Sequence, residues 1–430
     1  MKKITVPGDK SITQRFLILG GLADGKSLLR GALSSSDCSA TAEVLQKLGV
    51  DLSHSRHNEE LAVLGCGFQG FKSPDQVLDF RNSGTGARLM LGAIAGQSNM
   101  NDIVVTGDES LRKRPMARVV DPLQESGARI TYIVNHGMLP ISVTGEILQP
   151  IVHDSLVASA QVKSSLLLAG LVSGTPVNIT EPFKSRDHTE RILVAAGIDI
   201  QGSLKGGHWE IKLDCPPESL SPFEVTIPGD FSSAAFLIGY AVLGGAGTGL
   251  VIENVGLNPT RTGLLEVLMR MGAKIKVSEN PSDCSGEPVG TIEVTPTELS
   301  GIEIGPQDVP SMIDEFPLMA ILGSRATGVT KIRGAKELRF KESDRIRALV
   351  DNMRVIGINI EEYEDGFEIW GTEEPLEGKV FSHGDHRIAM AFGALAGLPD
   401  NKIDVEGKEV VDVSFPGFWE MLTELEGNSE

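Results

Sequence analysis

Three residues near the start of the chain have the types and spacing to bind an anion. Lys10, Ser11 and Arg15 lie in a segment, residues 6–15, in which a Pro-Gly-Asp turn precedes an amphipathic run. Ser11 is the predicted N-cap of a helix, and Gln14 would complete a capping box. Arg15 lies one helical turn further along the same face, so both cations would converge on the free N–H groups of the first turn. An ordinary cap with two solvated cations is the alternative, and this segment alone does not decide between the two.

Other predicted helices also begin with a cation, which the helix dipole disfavours by about 0.3–1 kcal/mol each. Arg114 precedes a proline suited to the first helical position. Arg345 follows a predicted Ser343 cap, and Arg387 follows Asp385. Each arginine taken singly could be solvated or paired with an acid. Their coincidence indicates a ligand with several negative groups.

Two further helix starts contain small residues that allow a phosphate to reach the backbone N–H groups. One is the segment 82–85, in which Gly84 permits close approach to the main chain. The other is the segment 159–161, Ser-Ala-Gln. Neither contains the Gly-Lys-Ser/Thr of a Walker loop. Plain N-capping is the alternative for both.

Two carboxylates stand beside this basic set. Asp314 precedes an apolar helix, and Glu342 lies between Lys341 and Arg345. An acid at a helix start is commonly a cap or an ion-pair partner. Beside bound anions, the two carboxylates could instead act as a general base and a general acid.

The overall composition narrows the classes of partner. The chain has 430 residues and a formal net charge of −19, so two domains are expected, and neither nucleic acid nor an anionic membrane is an expected partner. His383 and His386 lack a third ligand at a suitable spacing, so no metal site is predicted. No signal peptide or membrane span is predicted, and the four scattered cysteines fit a cytoplasmic location.

A repeat of similar units runs along the chain. Five predicted helices end in a glycine that is followed at once by a short alternating strand, at spacings of about 70 to 85 residues. These glycines are Gly49, Gly127, Gly197, Gly272 and Gly357. A sixth helix, at residues 418–425, leads to Gly427. The sequence therefore predicts six units, three per half, in an α/β or α+β fold.

The repeat also predicts the boundaries of the two domains. The first strand, residues 3–6, has no helix before it, and the sixth unit has no strand after its helix. We therefore expect the first strand to complete the domain formed by the second half. The predicted domains are residues 1–9 with 229–430, and residues 10–228. The Pro-Gly-Asp turns near 7–11 and 227–232 would form a hinge that closes on a ligand.

The motifs, in order over nearly the whole chain, closely resemble those of the 3-phosphoshikimate 1-carboxyvinyltransferase (EPSP synthase) family. They lie at residues 7–15, 82–85, 112–115, 159–161, 186–190, 311–314, 341–345 and 385–387. The resemblance implies that phosphoenolpyruvate and shikimate 3-phosphate give 5-enolpyruvylshikimate 3-phosphate and phosphate. The reaction proceeds by addition and elimination through a tetrahedral intermediate, without metal or organic cofactor. The resemblance also implies a two-domain inverse α/β barrel of six βαβαββ units, and a monomer is expected.

The resemblance further implies roles for single residues. Asp314 would accept the proton of the attacking 5-hydroxyl, Glu342 would protonate the methylene carbon, and Lys10 would stabilise the departing phosphate. The implied shikimate 3-phosphate contacts are Lys10, Ser11, Arg15, Ser159, Ala160, Gln161, Arg186, Asp314 and Lys341. The implied phosphoenolpyruvate contacts are Lys10, Gly84, Arg114, Gln161, Arg345 and Arg387.

Three departures and two alternatives accompany this interpretation. Arg186 stands where many members have a tyrosine, and the segment 186–190 resembles the branch of the family that has arginine there. Val413 stands where many members have a lysine, so no phosphate contact is assigned there. Gly84 stands where glyphosate-tolerant members often have alanine, so glyphosate is expected to compete with phosphoenolpyruvate. One alternative is a UDP-N-acetylglucosamine enolpyruvyl transferase, in which Lys-Asn would be expected in place of Lys10-Ser11. The other is a non-catalytic anion-binding relative.

Overall fold

The structure is a computed structural model of the chain, and it describes residues 1–55, 60–280 and 286–426. The helices are α1 (Lys10–Leu22), α2 (Ser36–Lys47), α3 (Gly84–Ala95), α4 (Glu109–Arg112), α5 (Ala117–Glu125), α6 (Ala160–Ser173), α7 (His188–Ala195), α8 (Phe231–Val242), α9 (Gly263–Arg270), α10 (Val309–Met312), α11 (Phe316–Ser324), α12 (Arg345–Val355), α13 (His386–Ala396) and α14 (Phe418–Glu426). Two 3-10 helices span Lys336–Phe340 and Lys408–Val413. Among the described helices, none combines the length and the apolar character needed to cross a lipid bilayer.

The strands of the described residues are short. They are β1 (Lys2–Thr5), β2 (Lys26–Arg30), β3 (Asp51–Ser55), β4 (Glu60–Leu64), β5 (Leu78–Asp79), β6 (Ile103–Thr106), β7 (Arg129–Tyr132), β8 (Ile141–Thr144), β9 (Ile151–Asp154), β10 (Val177–Glu181), β11 (Gln201–Lys205), β12 (His208–Leu213), β13 (Glu224–Thr226), β14 (Leu250–Gly256), β15 (Lys274–Glu279), β16 (Val289–Thr295), β17 (Glu303–Ile304), β18 (Val329–Ile332), β19 (Ile360–Tyr363), β20 (Gly366–Trp370), β21 (Glu377–Phe381) and β22 (Lys402–Glu406).

The chain forms two compact units. The amino-terminal unit contains Gly8–Ile227 and a segment that ends at Glu287. The carboxyl-terminal unit contains Met1–Pro7 and the segments that begin at Pro228 and Pro288. The segment that ends at Glu287 had no counterpart in the sequence analysis. The expected hinge and its closure stay predictions.

Each unit has buried helices inside and sheets outside. In the amino-terminal unit α1, α3 and α6 are buried along nearly their whole length, and in the carboxyl-terminal unit α8, α11 and α13 are. Most buried residues of these helices are apolar, which is typical of helices within a core. The outermost strand β11, in contrast, is exposed along its whole length. The α/β class predicted from the sequence is confirmed, and so is the inverse arrangement that the family resemblance implies.

The sheets confirm the sixfold repeat. Five sheets have four strands, in which one edge strand pairs in parallel with its neighbour and the other two pairs are antiparallel. The sixth sheet has the two parallel strands β21 and β22. The four-stranded orders are β13-β2-β4-β3, β5-β6-β8-β7, β11-β12-β10-β9, β1-β14-β16-β15 and β17-β18-β20-β19.

Two strands pair with partner strands that are distant in the sequence. Strand β1 pairs in parallel with β14, with Lys2 opposite Leu250, and so belongs to the carboxyl-terminal unit. Strand β13 pairs in parallel with β2, with Thr226 opposite Arg30, and so belongs to the amino-terminal unit. The chain therefore passes from one unit to the other directly after each of these strands.

The repeated helix ends have the predicted conformation. The glycines that follow α2, α5, α7, α9 and α12 all have positive φ angles between 84° and 101°. Only glycine adopts this left-handed conformation readily, because it lacks a Cβ atom. These residues are Gly49, Gly127, Gly197, Gly272 and Gly357. The sixth, Gly427, lies outside the described residues.

Candidate active site

The start of α1 is capped by an aspartate. Asp9 has an extended backbone conformation, and its carboxylate accepts a hydrogen bond of 2.9 Å from the backbone N–H of Ile12. The prediction that Ser11 is the N-cap is therefore wrong, because the helix already begins at Lys10. Gln14 does not form the predicted capping box. Its side-chain amide instead donates to the Ser83 hydroxyl at 2.6 Å, next to the start of α3.

Arg15 is buried within the amino-terminal unit, so the interpretation as a solvated cation is wrong for this residue. Its guanidinium donates to the Ser11 carbonyl oxygen at 2.9 Å, the Ser164 hydroxyl at 3.0 Å and the Thr189 hydroxyl at 2.8 Å. Burial lowers the pKa of Arg15 to about 10, so the side chain remains charged at neutral pH. Arg15 thereby connects α1, α6 and α7 around one positive charge.

Lys10 has a carboxylate partner nearby. Its ammonium nitrogen lies 3.3 Å from an Asp37 carboxylate oxygen, and the side chain keeps 15% of its surface exposed. Asp37 belongs to the first turn of α2. The first residue of α1 therefore presents a partly exposed, charge-balanced ammonium group.

The start of α3 brings together two arginines around Gly84. Ser83 caps the helix, and a Cβ atom added at Gly84 would lie 3.0 Å from Arg88 Nη1 and 3.2 Å from Arg114 Nη1. Arg114 also donates to the Asn82 side-chain oxygen at 2.8 Å. The predicted position of Arg114 at a helix start is wrong. Helix α5 begins only at Ala117, so Arg114 lies in the connection between α4 and α5.

Gln161 is held in one orientation by its neighbours. Arg88 Nη1 donates to Gln161 Oε1 at 2.8 Å, and Gln161 Nε2 donates to the Thr85 hydroxyl at 2.9 Å. Arg88 also donates to the Pro115 carbonyl oxygen. The sequence analysis missed Arg88, which is buried. An arginine one turn after Gly84 in an otherwise apolar helix was an available signal.

The start of α6 is held from outside the helix. Ser159 occupies the N-cap position and Ala160 is the first helical residue, but the Ser159 side chain makes no capping hydrogen bond. Instead, the Ser159 backbone N–H donates to Glu181 Oε1 at 3.0 Å. Arg186 lies just before α7, whose residue Thr189 contacts Arg15. The structure therefore links the 186–190 motif to the 7–15 motif within one unit.

In the carboxyl-terminal unit, Arg345 is the first residue of α12 and only 1% of its side chain is exposed. Its guanidinium contacts Glu342 Oε2 at 2.7 Å, Asp385 Oδ2 at 2.8 Å and Asp314 Oδ1 at 3.3 Å. Burial alone would lower the pKa of Arg345, but these three carboxylates together raise it. The candidate base Asp314 and the candidate acid Glu342 thus both contact the Arg345 guanidinium.

The cap of α12 differs from the prediction. Asp344, rather than Ser343, accepts a hydrogen bond from the Arg347 backbone N–H at 3.0 Å. The Ser343 hydroxyl instead donates to Asp385 Oδ2 at 3.2 Å. The prediction that Ser343 caps the helix is wrong, because the aspartate beside it reaches the first turn.

Arg387 lies at the start of α13, as predicted. Asp385 caps this helix by accepting from the Arg387 backbone N–H at 3.0 Å. The Arg387 side chain approaches Asp314, with Nε 3.6 Å from Oδ1. Lys341 forms its ion pair with Glu337 at 3.1 Å. Arg345, Arg387 and Asp314 thus form one cluster in the carboxyl-terminal unit.

The donor groups described in each unit suit anions rather than a metal ion. Within residues 1–55, 60–280 and 286–426, no group of three or more His, Cys, Asp or Glu side chains could hold a metal. The functional side chains described above are instead mostly cations near helix N-termini, where free N–H groups add to their charge. Such an arrangement can bind carboxylates and phosphates and stabilise negative charge during a reaction.

Comparison with known proteins identifies the family. The sequence model described as EPSP synthase (3-phosphoshikimate 1-carboxyvinyltransferase) matches residues 1–422. The 3-phosphoshikimate 1-carboxyvinyltransferase of Desulfitobacterium hafniense (strain DSM 10664 / DCB-2) is 44% identical over 428 residues, which cover 98% of this chain and 95% of that relative. The chain belongs to the EPSP synthase family.

Other EPSP synthase family members are also similar. The 3-phosphoshikimate 1-carboxyvinyltransferase of Bacillus subtilis (strain 168) is 39% identical over 433 residues, covering 99% of this chain and 97% of that relative. The solved structure of the Acinetobacter baumannii EPSP synthase has a TM-score of 0.84 and 40% identity, covering 99% of this chain and 95% of that one. The enolpyruvyl transferase NikO of Streptomyces tendae shares the fold, with a TM-score of 0.76 and 17% identity. The family predicted from the motifs is confirmed.

Two glycines on α3 of this EPSP synthase family member should respond differently to alanine. In Gly84→Ala the closest neighbours of the new Cβ are the ends of two flexible arginines, whereas in Gly92→Ala it would lie 1.9 Å from the Ser165 carbonyl oxygen. We expect Gly92→Ala to lower the free energy of unfolding by about 1–3 kcal/mol and Gly84→Ala by less than about 0.5 kcal/mol. Urea unfolding of both variants measures this, and an equal loss in the two would contradict the described packing.

Proposed function

We propose that this chain transfers the enolpyruvyl group of phosphoenolpyruvate to the 5-hydroxyl of shikimate 3-phosphate, with release of phosphate. Membership of the EPSP synthase family supports this reaction. The single observation that carries it is the contact of buried Arg345 with both Asp314 and Glu342. A reaction that removes one proton and adds another needs a base and an acid close together. Asp314 and Glu342 meet this requirement because both contact Arg345.

The substrates determine which residues we propose as contacts. Each substrate has a carboxylate and a phosphate, so arginines and helix N-termini offset charges that would otherwise repel each other. The proposed shikimate 3-phosphate contacts are Lys10, Ser11, Arg15, Ser159, Ala160, Gln161, Arg186, Asp314 and Lys341. The proposed phosphoenolpyruvate contacts are Lys10, Gly84, Arg114, Gln161, Arg345 and Arg387.

The proposed chemistry has two steps. In the addition, Asp314 takes the proton of the 5-hydroxyl, the oxygen bonds to C2 of phosphoenolpyruvate, and Glu342 gives a proton to the methylene carbon. In the elimination, Glu342 removes a proton from the resulting methyl group, and the bond between C2 and the phosphate oxygen breaks. Lys10 offsets the charge of the departing phosphate. Glu342 thus regains the proton that it gave, and the proton taken by Asp314 leaves with the released phosphate.

Arg345 gives a reason for the timing of proton donation. Its charge is shared by three carboxylates, one of which is Glu342 at 2.7 Å. A phosphoenolpyruvate carboxylate on Arg345 would compete with Glu342 for the same donors. Because this competition weakens the stabilisation of ionised Glu342, bound substrate favours the protonated acid.

The relatives from Desulfitobacterium hafniense and Bacillus subtilis are named 3-phosphoshikimate 1-carboxyvinyltransferases. Their names support shikimate 3-phosphate, rather than UDP-N-acetylglucosamine, as the acceptor. A cytoplasmic monomer remains a prediction of the sequence.

Phosphate release tests the proposed reaction directly. Phosphoenolpyruvate is supplied with shikimate 3-phosphate and, separately, with UDP-N-acetylglucosamine, both in the presence of a chelator. We expect phosphate only with shikimate 3-phosphate. Release with the nucleotide sugar would assign a different acceptor, and no release with either acceptor would contradict the proposed activity.

The roles of the two carboxylates can be tested separately from folding. We expect Asp314→Asn and Glu342→Gln to fold and to bind both substrates, with kcat lowered by about 10²- to 10⁴-fold, because each removes a proton-transfer group. Asp351→Asn is a matched control, since Asp351 pairs with Arg347 on the exposed face of α12. This control should keep the kcat of the unmodified chain. Normal turnover by either of the first two variants would remove its residue from the proposed mechanism.

We further propose that glyphosate competes with phosphoenolpyruvate at Gly84. The missing side chain leaves space beside Arg88 and Arg114 that a Cβ atom would reduce. We expect competitive inhibition in the unmodified chain, and a raised inhibition constant in Gly84→Ala. Initial rates at several phosphoenolpyruvate concentrations give both constants. Full activity at glyphosate concentrations far above the phosphoenolpyruvate KM would refute this proposal.

A further inference from the structure

A buried ionic cluster lies behind the proposed shikimate 3-phosphate contacts. The Lys163 side chain is fully buried in α6, with its ammonium nitrogen 2.7 Å from Glu190 Oε1 and 3.2 Å from Glu181 Oε2. We call Lys163, Glu181 and Glu190 the Lys163 cluster. Burial alone would lower the pKa of Lys163, but Glu190 and Glu181 raise it, so the ammonium group is charged at neutral pH. Apolar residues of similar volume often give equal or greater stability than a buried ion pair, so the cluster calls for another explanation.

Glu181 joins two segments that contain proposed substrate contacts. Its Oε1 accepts from the Ser159 backbone N–H at 3.0 Å and from the Ser185 hydroxyl at 2.8 Å. Lys163 also donates to the Ser185 carbonyl oxygen at 3.4 Å. Ser185 directly precedes Arg186. Glu181 and Lys163 thus fix the start of α6 and the segment that carries Arg186.

Glu190 acts on the third contact, Arg15. Its negative charge is the largest influence that opposes the lowering of the Arg15 pKa by burial. The residues next to the cluster touch the same guanidinium directly, through the Ser164 hydroxyl at 3.0 Å and the Thr189 hydroxyl at 2.8 Å. Lys163 and Ser164 lie on α6, whereas Thr189 and Glu190 lie on α7. The cluster therefore sets the distance between the two helices that hold Arg15.

We propose that the Lys163 cluster is a positioning network for shikimate 3-phosphate, which rests on the function proposed above. Its members hold three contacts from three elements: Arg15 on α1, Ser159 at the start of α6, and Arg186 before α7. The proposal assigns the cluster no contact with the ligand, so its members are positioning residues rather than catalytic ones. Loss of the buried ammonium group leaves two carboxylates without a counter-charge, so they take up a proton or separate, and either change weakens the hydrogen bonds that hold these segments.

The test uses Lys163→Met in the full chain, with shikimate 3-phosphate alone as the probe. We expect the Kd of the binary complex, measured by isothermal titration calorimetry, to rise about tenfold to a hundredfold, the effect of misplacing donors to a charged ligand group. The KM for shikimate 3-phosphate should rise more than the KM for phosphoenolpyruvate. Lys163→Arg keeps the charge and should restore most of the binding.

Leu171→Ala is the matched control for lost stability. Leu171 is a fully buried residue of the same helix α6, far along the helix from Ser159, and its truncation lowers the melting temperature without touching the cluster. We expect this variant to bind shikimate 3-phosphate as the unmodified chain does. If Lys163→Met does not fold, Glu190→Gln replaces it, and the same rise in Kd is expected.

The outcomes separate this proposal from the proposed function. Equal Kd values for Lys163→Met, or its replacement, and Leu171→Ala would overturn the positioning role while the function stands. Failure of the unmodified chain to bind shikimate 3-phosphate would overturn the proposed function itself. A raised Kd that Lys163→Arg restores would support the positioning role, because a merely structural effect would follow the melting temperature instead.

Discussion

Positive charge at the start of helices is the constraint around which each unit is built. The free N–H groups already make this end of a helix positive, so a cation there is unfavourable by about 0.3–1 kcal/mol unless an anion balances it. Arg15 and Arg345 are nevertheless buried near the starts of α1 and α12. The chain supplies acceptors of its own, which are hydroxyl and carbonyl oxygens around Arg15 and three carboxylates around Arg345. A site organised in this way is prepared for anionic ligands, whose oxygens can join or replace these acceptors.

The two units balance their charge in different ways, and the difference has chemical meaning. In the carboxyl-terminal unit the balancing carboxylates include Asp314 and Glu342, so the groups that stabilise Arg345 are also those that we propose to move protons. In the amino-terminal unit Arg15 is contacted by neutral groups, and the carboxylates of Glu181 and Glu190 lie one layer further back, on Lys163. The amino-terminal arrangement favours binding of a fixed negative charge. The carboxyl-terminal arrangement favours a balance that changes when a ligand arrives.

Local features were predictable from the sequence, whereas contacts made through the fold were not. The glycines at the helix ends were predicted correctly, because a left-handed residue is a local requirement. Asp9 and Ser11 both suit a helix cap, and only the backbone geometry decides that the aspartate forms it. The candidate site was predicted from the family motifs, but the buried state of Arg15 depends on α6 and α7, which are distant in sequence. Lys163 and Glu181 gave no signal, since a lysine within an apolar helix and a glutamate at a strand end are usually exposed.

The pairing of β1 and β13 with strands distant in sequence has a consequence for synthesis on the ribosome. Lys2 pairs with Leu250, so β1 meets its partner only after roughly 250 further residues are made, about 12–50 s at 5–20 residues per second. The amino-terminal unit can complete its three sheets once β13 has emerged, whereas β1 stays without its partner strand throughout that time. Lys2 and Lys3 give this waiting strand a charge that disfavours pairing with the wrong edge. The nascent chain is therefore expected to fold the amino-terminal unit before β1 pairs with β14.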